Sequence, residues 1–135
     1  MYTDKPFVFS TLIDTKSRAD SSSTIADNVD IDYFIVPAGR EIQIQNMRAY
    51  VEELDADAEI ELVKEDNTIL CRILLAATGH VSALQSTGST AQTFPITVAP
   101  QSATLPKLIK LRTAGALDAT TKAMIQVHVS GLNHR

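Results

Sequence analysis

The chain has no tryptophan, one cysteine, five scattered glycines and no long apolar run. Each shortage removes a class of answer. A single cysteine, Cys71, cannot form an intrachain disulfide, so folding does not depend on an oxidising compartment. It lies in the apolar run ILCRILL, where a thiol behaves as a small hydrophobe; a nucleophile would need a neighbouring base, and no sequence feature supplies one. No stretch approaches the ~20 apolar residues of a transmembrane helix. The start, MYTDKPFVFS, does not read as a signal peptide, having no basic start followed by a long apolar core. The expectation is synthesis and folding in a cytoplasm, with no membrane partner. The glycines form no phosphate-binding loop or dinucleotide fingerprint, and no G-x-S-x-G elbow occurs. The twelve basic residues are scattered, densest at Lys107, Lys110 and Arg112, and the net charge is −4. A nucleic-acid partner is not expected from that balance.

What the chain does have is alternation. Its 135 residues suit a single domain with a core large enough to need no disulfide or metal. Phe7–Ile13 reads as a first strand. A polar segment, 14–32, follows, with Ser21-Ser22-Ser23 at its centre and a composition that suits mobility. Tyr33–Val36 is a second strand, closed by Pro37-Ala38-Gly39. Glu41–Glu53 alternates with a flaw: Ile42 and Ile44 are even-numbered, whereas Met47, Ala49 and Val51 are odd. A one-residue slip turns every later side chain over, so a β-bulge near Gln45-Asn46 is predicted, restoring one apolar face. Ala58–Lys64 and Thr68–Leu75 read as a hairpin about Glu65-Asp66-Asn67, with Glu59 and Glu61 outward. Thr68–Leu75 also fits helical spacing, with Asn67 as cap; strand is preferred because its neighbours are strands and the turn is short. Gly79–Leu84, Thr93–Val98 with Pro95 at an edge, Lys107–Thr113 and Lys122–Leu132 complete the set. About eight strands with little helix predict an all-β fold, an antiparallel β-sandwich of jelly-roll type.

Candidate chemistry is thin. Asp55, Asp57 and Glu59 offer oxygen ligands at alternate positions, but Ile60 stands where a calcium loop needs glycine, and Glu59 and Glu61 fit the solvent face of a strand. His80, His128 and His134 show no zinc spacing. A serine triad assembled across the fold is recognised only by geometry. Glycan binding needs exposed aromatics; Tyr50 beside Arg48 is a candidate, whereas Phe7, Phe9 and Phe34 are assigned to the core. No catalytic residue, metal or cofactor is expected.

The order of pieces resembles the small jelly-roll decoration (cement) proteins of tailed-phage capsids. It is carried by FVFSTLI, a polar excursion, FIVPAGREIQI, the hairpin AEIELVKEDNTILCRILL, the Thr/Ser-rich ATGHVSALQSTGST and the closing KAMIQVHVSGL. The resemblance implies a non-enzymatic virion protein, made in the host cytoplasm, that sits on the outer capsid surface as a homotrimer with the major capsid protein as partner. No functional residue carries over, because such proteins bind through shape and loops. Polar loops on a rigid scaffold commonly carry binding. Capsid contacts are therefore expected at Ser86, Thr87, Ser89 and Thr90, and at Gln101, Ser102 and Thr104. The alternative is a glycan- or receptor-binding module of a phage tail or fibre; a hydrolytic enzyme ranks third.

Overall fold

A computed structural model describes residues 7–15, 29–54, 56–82, 94–99, 104–115, 117 and 121–131. Among them the chain forms nine strands: β1 (Phe7–Asp14), β2 (Asp30–Val36), β3 (Ile42–Leu54), β4 (Ala58–Lys64), β5 (Ile69–Leu75), β6 (Gly79–Ser82), β7 (Ile96–Val98), β8 (Lys107–Thr113) and β9 (Thr121–Gly131). No helix longer than a single 3₁₀ residue occurs among the described residues.

The strands make two antiparallel sheets, one ordered β1-β9-β3-β6 with β7 also on β3, the other β2-β8-β4-β5. β6 pairs with Arg48–Val51 and β7 with Ile42–Ile44, so the two short strands share one edge of β3. Counted by position, each sheet is four strands wide. The chain crosses between sheets repeatedly, which is the jelly-roll arrangement. Each segment expected to be a strand forms one, giving nine against the round figure of eight, and two of them, β6 and β7, share one edge.

Local chemistry explains the turns. Gly39 has φ 73°, and Arg40 N–H donates to the Pro37 carbonyl at 3.3 Å. That is a tight turn whose third position requires positive φ. At the β4–β5 turn, Asn67 N–H donates to Lys64 O at 2.8 Å, and Asn67 itself sits at φ 69°. Asparagine tolerates that left-handed region better than most residues. The hairpin places β5 as a strand, since Ala58–Val63 pairs with Leu75–Ile69. The helical alternative therefore fails: its spacing was produced by a β-strand rich in apolar residues on both faces.

The predicted bulge is present. The β3–β9 register shifts between Ile44 and Asn46, and Ile42, Ile44, Met47, Ala49 and Val51 are all buried. Across the core they meet Ile60, Leu62, Ile73, Leu75, Ile109 and Leu111 from the other sheet. Cys71 lies fully buried with its Sγ 3.6 Å from Met47 Sδ. Burial pushes its thiol up to about 12, which keeps it protonated and unreactive at neutral pH. The sheets are tied at one side by Thr11 Oγ1, which donates to Asp32 Oδ2 at 2.6 Å. Thr15 Oγ1 accepts Thr121 N–H, and Thr113 Oγ1 accepts Val29 N–H. These bonds fix the points where the chain leaves β1 and enters β2. Of the polar segment 14–32, residues 16–28 lie outside the described residues, and the rest belongs to the ends of β1 and β2.

Three expectations need correction. Phe7 is 46% exposed at the start of an edge strand, where the opposite sheet covers it only in part, through Phe34, whose ring it meets edge-on at 6.1 Å. Glu61 points outward as expected but is only 3% exposed. His128 is half-buried rather than a surface residue, and its Nε2 is buried without a hydrogen-bond partner.

Candidate functional site

The sandwich has two outer faces, and the strand registers place the side chains of each. On the β1-β9-β3-β6 sheet, Leu12 lies opposite Met124, Met124 opposite Tyr50, and Tyr50 opposite His80. Four strands thus contribute one continuous cross-sheet row. Leu12 is 55%, Tyr50 50% and Met124 37% exposed, and His80 is exposed as well. The Tyr50 and His80 rings touch, with centroids 5.0 Å apart at 61°. Exposed Val8 lies on the same face, opposite His128. Cross-strand neighbours of this kind hold one another in place, so the row is a stiff surface.

Charge borders the row. The next register line on one side is Ser10, Gln126, Arg48 and Ser82. Arg48 is exposed and has no ion pair among the described residues. A shallow depression of about 230 Å³ opens between Arg48, Ala49, His80, Val81 and Ser82. On the other side Lys122 pairs with Asp14 and Glu53 in register, and its Nζ lies 3.1 Å from Glu52 Oε2. The Glu52 hydrogen bond, with Glu52, Asp14 and Glu53 charges nearby, raises the Lys122 pKa above its ordinary value.

The opposite face exposes Tyr33 and Ile35 on its edge strand β2, but its centre is built differently. Arg112 Nε donates to Glu61 Oε1 at 2.8 Å and Arg72 Nε to Glu61 Oε2 at 3.2 Å, so each carboxylate oxygen takes one guanidinium. Arg72 also approaches Glu59 at 3.9 Å, and Lys110 approaches Asp30 at 3.5 Å. Asn67 Oδ1 accepts from both Lys110 and Arg112. Val63, an apolar residue on this outward side, is fully buried beside these stems. The charges here compensate one another.

The end of the sandwich holds Lys107, buried and donating from Nζ to the Ala99 carbonyl. Burial first, and the Lys64 charge second, push its pKa down. A depression of about 160 Å³ there is lined by Lys64, Glu65, Asp66 and Lys107. Two cations and two carboxylates balance, and Glu65 and Asp66 accept the Leu108 and Thr68 N–H groups.

Of the expected contact residues, Thr104 is exposed just before β8, while Ser86, Thr87, Ser89, Thr90, Gln101 and Ser102 lie outside the described residues. Asp55 and His134 also lie outside them. No group of three or more His, Cys, Asp or Glu suited to a metal occurs among the described residues. No helix among them is long and apolar enough to cross a membrane. Tyr50 beside Arg48 is where the sequence placed it, exposed on β3. The row it belongs to went unread, because Leu12, Tyr50, His80 and Met124 come from four distant segments whose register is set only by pairing. What this arrangement can do is dock: a rigid, half-apolar surface with charges at its borders.

No family model and no curated protein matches the chain. Among solved structures it is similar to a chain in the structure of the Gx strain of infectious bursal disease virus, at 19% identity and a TM-score of 0.38. That match covers 93% of this chain and 33% of the other, so the chain spans about a third of that chain's length.

Proposed function

We propose that the protein is a non-enzymatic structural component of a virion, which decorates and stabilises the outer surface of a phage capsid. The observation that carries the reading is the exposed Leu12–Met124–Tyr50–His80 row on a rigid jelly-roll sheet. Large apolar side chains held at a stiff surface fit an assembly role, since contiguous exposed apolar surface marks interaction sites. The capsid as partner, and a trimer as the assembled form, rest on the resemblance of the strand order and segments to cement proteins. The polar segments 86–90 and 101–104 are the proposed capsid contacts. Self-association raises the effective concentration of the second and third contacts once the first is made. Co-sedimentation tests the reading: the full chain is expected to pellet with assembled capsids and not with unassembled major capsid protein. A chain that stays in the supernatant in both cases overturns it.

A second reading has its own observation. Tyr50 offers a half-exposed ring beside His80, and Arg48 and Ser82 line the adjoining depression. Ring, guanidinium and hydroxyl together suit a sugar carrying a carboxylate. Binding of uronic-acid oligosaccharides, lost on Tyr50→Ala, would move the function to a glycan-binding tail or fibre module.

A further inference from the structure

We infer that the outer face of the β1-β9-β3-β6 sheet is a self-pairing surface: two copies of this chain meet there, face to face, about a twofold axis running along the Leu12–Met124–Tyr50–His80 row. This holds or fails independently of any capsid.

The apolar row supplies the contact, and the charges beside it select the occupant. Arg48, Tyr50 and Glu52 follow one another on the outer side of β3. Arg48 and Tyr50 are exposed there, and the Glu52 carboxylate bonds Lys122 on that same side. Arg48 therefore lies about 7 Å to one side of the row, at about 3.4 Å per residue, and Glu52 lies on the other side, where the β3–β9 register shifts between Val51 and Glu53. A twofold axis along the row keeps each row residue near its own mate and reverses the strand direction. It sets Arg48 of each copy over Glu52 of the other, twice. An isologous interface must be self-complementary in this way. Glu52 is 56% exposed at its side chain even while paired with Lys122, so it has room for a second cation. Aligned packing of two sheets about 10 Å apart, as within the sandwich itself, accommodates the row between them.

The size of the patch sets the strength. Three strands giving about seven residues each and β6 (Gly79–Ser82) giving four, about 4.8 Å apart and about 3.4 Å per residue, project roughly 400 Å². Standard interfaces bury about 800 Å² per partner. The pair is accordingly weak and concentration-dependent, distinct from a permanent oligomer. It is also compatible with a trimer built through another surface, because a threefold and perpendicular twofolds together give a closed assembly of six.

Light scattering and sedimentation of the full chain from about 1 to about 300 μM test the inference. The mass is expected to rise with concentration toward two subunits, or from three toward six. Arg48→Glu and Glu52→Arg are each expected to raise the midpoint concentration at least about tenfold, as like charges then face one another. An equimolar mixture of these two variants is expected to associate again, because both cross-axis contacts become opposite in sign. Leu12→Glu is expected to abolish association. All of these sites are exposed, and an unchanged β-type circular dichroism spectrum confirms folding. A mixture no better than its components overturns the twofold register. A fixed mass of one or three subunits over the whole range overturns the pairing, and three would leave the trimer standing.

Discussion

At the centre of the β2-β8-β4-β5 sheet the outward charges are occupied with one another, while Tyr33 and Ile35 stand exposed on its edge strand β2: Glu61 holds Arg112 and Arg72, Lys110 reaches Asp30, and Asn67 closes over the guanidinium and ammonium. Across the β1-β9-β3-β6 sheet the same strand geometry leaves Leu12, Met124 and Tyr50 at the surface with only a ring contact to His80. Both faces lie over one continuous core. The difference lies in what fills the outward positions, and it separates two jobs. Charges that are already paired offer a charged partner little and contribute to holding their own strands. A face of half-exposed apolar groups contributes little to the fold and is free to dock.

What lies beneath a side chain decides how much its replacement costs. Ile125 is fully buried, and its neighbour Met124 is on the docking face. Ile125→Asp is expected to unfold the protein, since an unpartnered buried carboxylate costs several kcal/mol against a total stability of roughly 5–15 kcal/mol. Thermal melting checks it, and a cooperative transition within a degree or two of wild type would refute the face assignment. Next in size is Glu61→Ala. It strands two guanidinium groups, one of them mostly covered by the sheet. Breaking a buried pair costs about 3–5 kcal/mol; because Arg72 reaches water, a loss of roughly 2–4 kcal/mol is expected, read as a fall of the order of 10 °C in Tm. Glu61→Gln keeps the shape and should lose less. If Glu61→Ala melts like wild type, the charged face is decoration and the comparison collapses.

The sequence shows the strands and their inward residues more clearly than it shows either outer face, for a physical reason. Alternation is local, so the strands, the parity slip at Gln45-Asn46 and the inward residues of β9 were all legible from consecutive residues. The burial of Glu61 was not. It depends on Arg72 from the neighbouring strand and on Arg112, 51 positions away, and neither spacing leaves a signature along the chain. Phe7 fails for a related reason: its aromatic character points to a core, but its place at the start of an edge strand leaves it only partly covered. The docking row required four registers at once. Local pattern shows which way each side chain faces, and pairing alone shows which of them meet.

Smaller effects are expected on the outer face of the β1-β9-β3-β6 sheet. Met124→Glu and Leu12→Glu add charge to exposed positions that no core residue relies on, so each is expected to change stability by no more than about 0.5 kcal/mol. Denaturant melts at low protein concentration measure this apart from association. A loss of more than about 2 kcal/mol from either would show that the row packs against something within the chain, and that the face is structural after all.

The smallest expected effect uses pH to tell the faces apart, because their charged groups fail at opposite ends of the scale. Asp66, in the turn beside the charged face, has its pKa held below the ordinary 3.8, first by the Thr68 side-chain hydrogen bond and then by the Thr68 N–H. Its contribution is present above the unfolded value near 3.8 and is lost as pH falls through the lower folded one. Lys122, at the border of the docking face, has its pKa raised above the ordinary 10.5 by its bond to Glu52. Its contribution is complete below about 10.5 and is lost as pH rises through the higher folded value. Both groups are exposed, so each effect is a small change of slope. Asp66→Asn keeps an oxygen for the Thr68 N–H but cannot titrate, and should flatten only the acid limb of Tm against pH. Lys122→Gln should flatten only the alkaline limb. If Asp66→Asn instead parallels wild type through the acid limb, the Thr68 bonds do not favour the ionised carboxylate. If Lys122→Gln parallels it through the alkaline limb, the Glu52 pair is too screened to act, and Glu52 is the more available to a second copy.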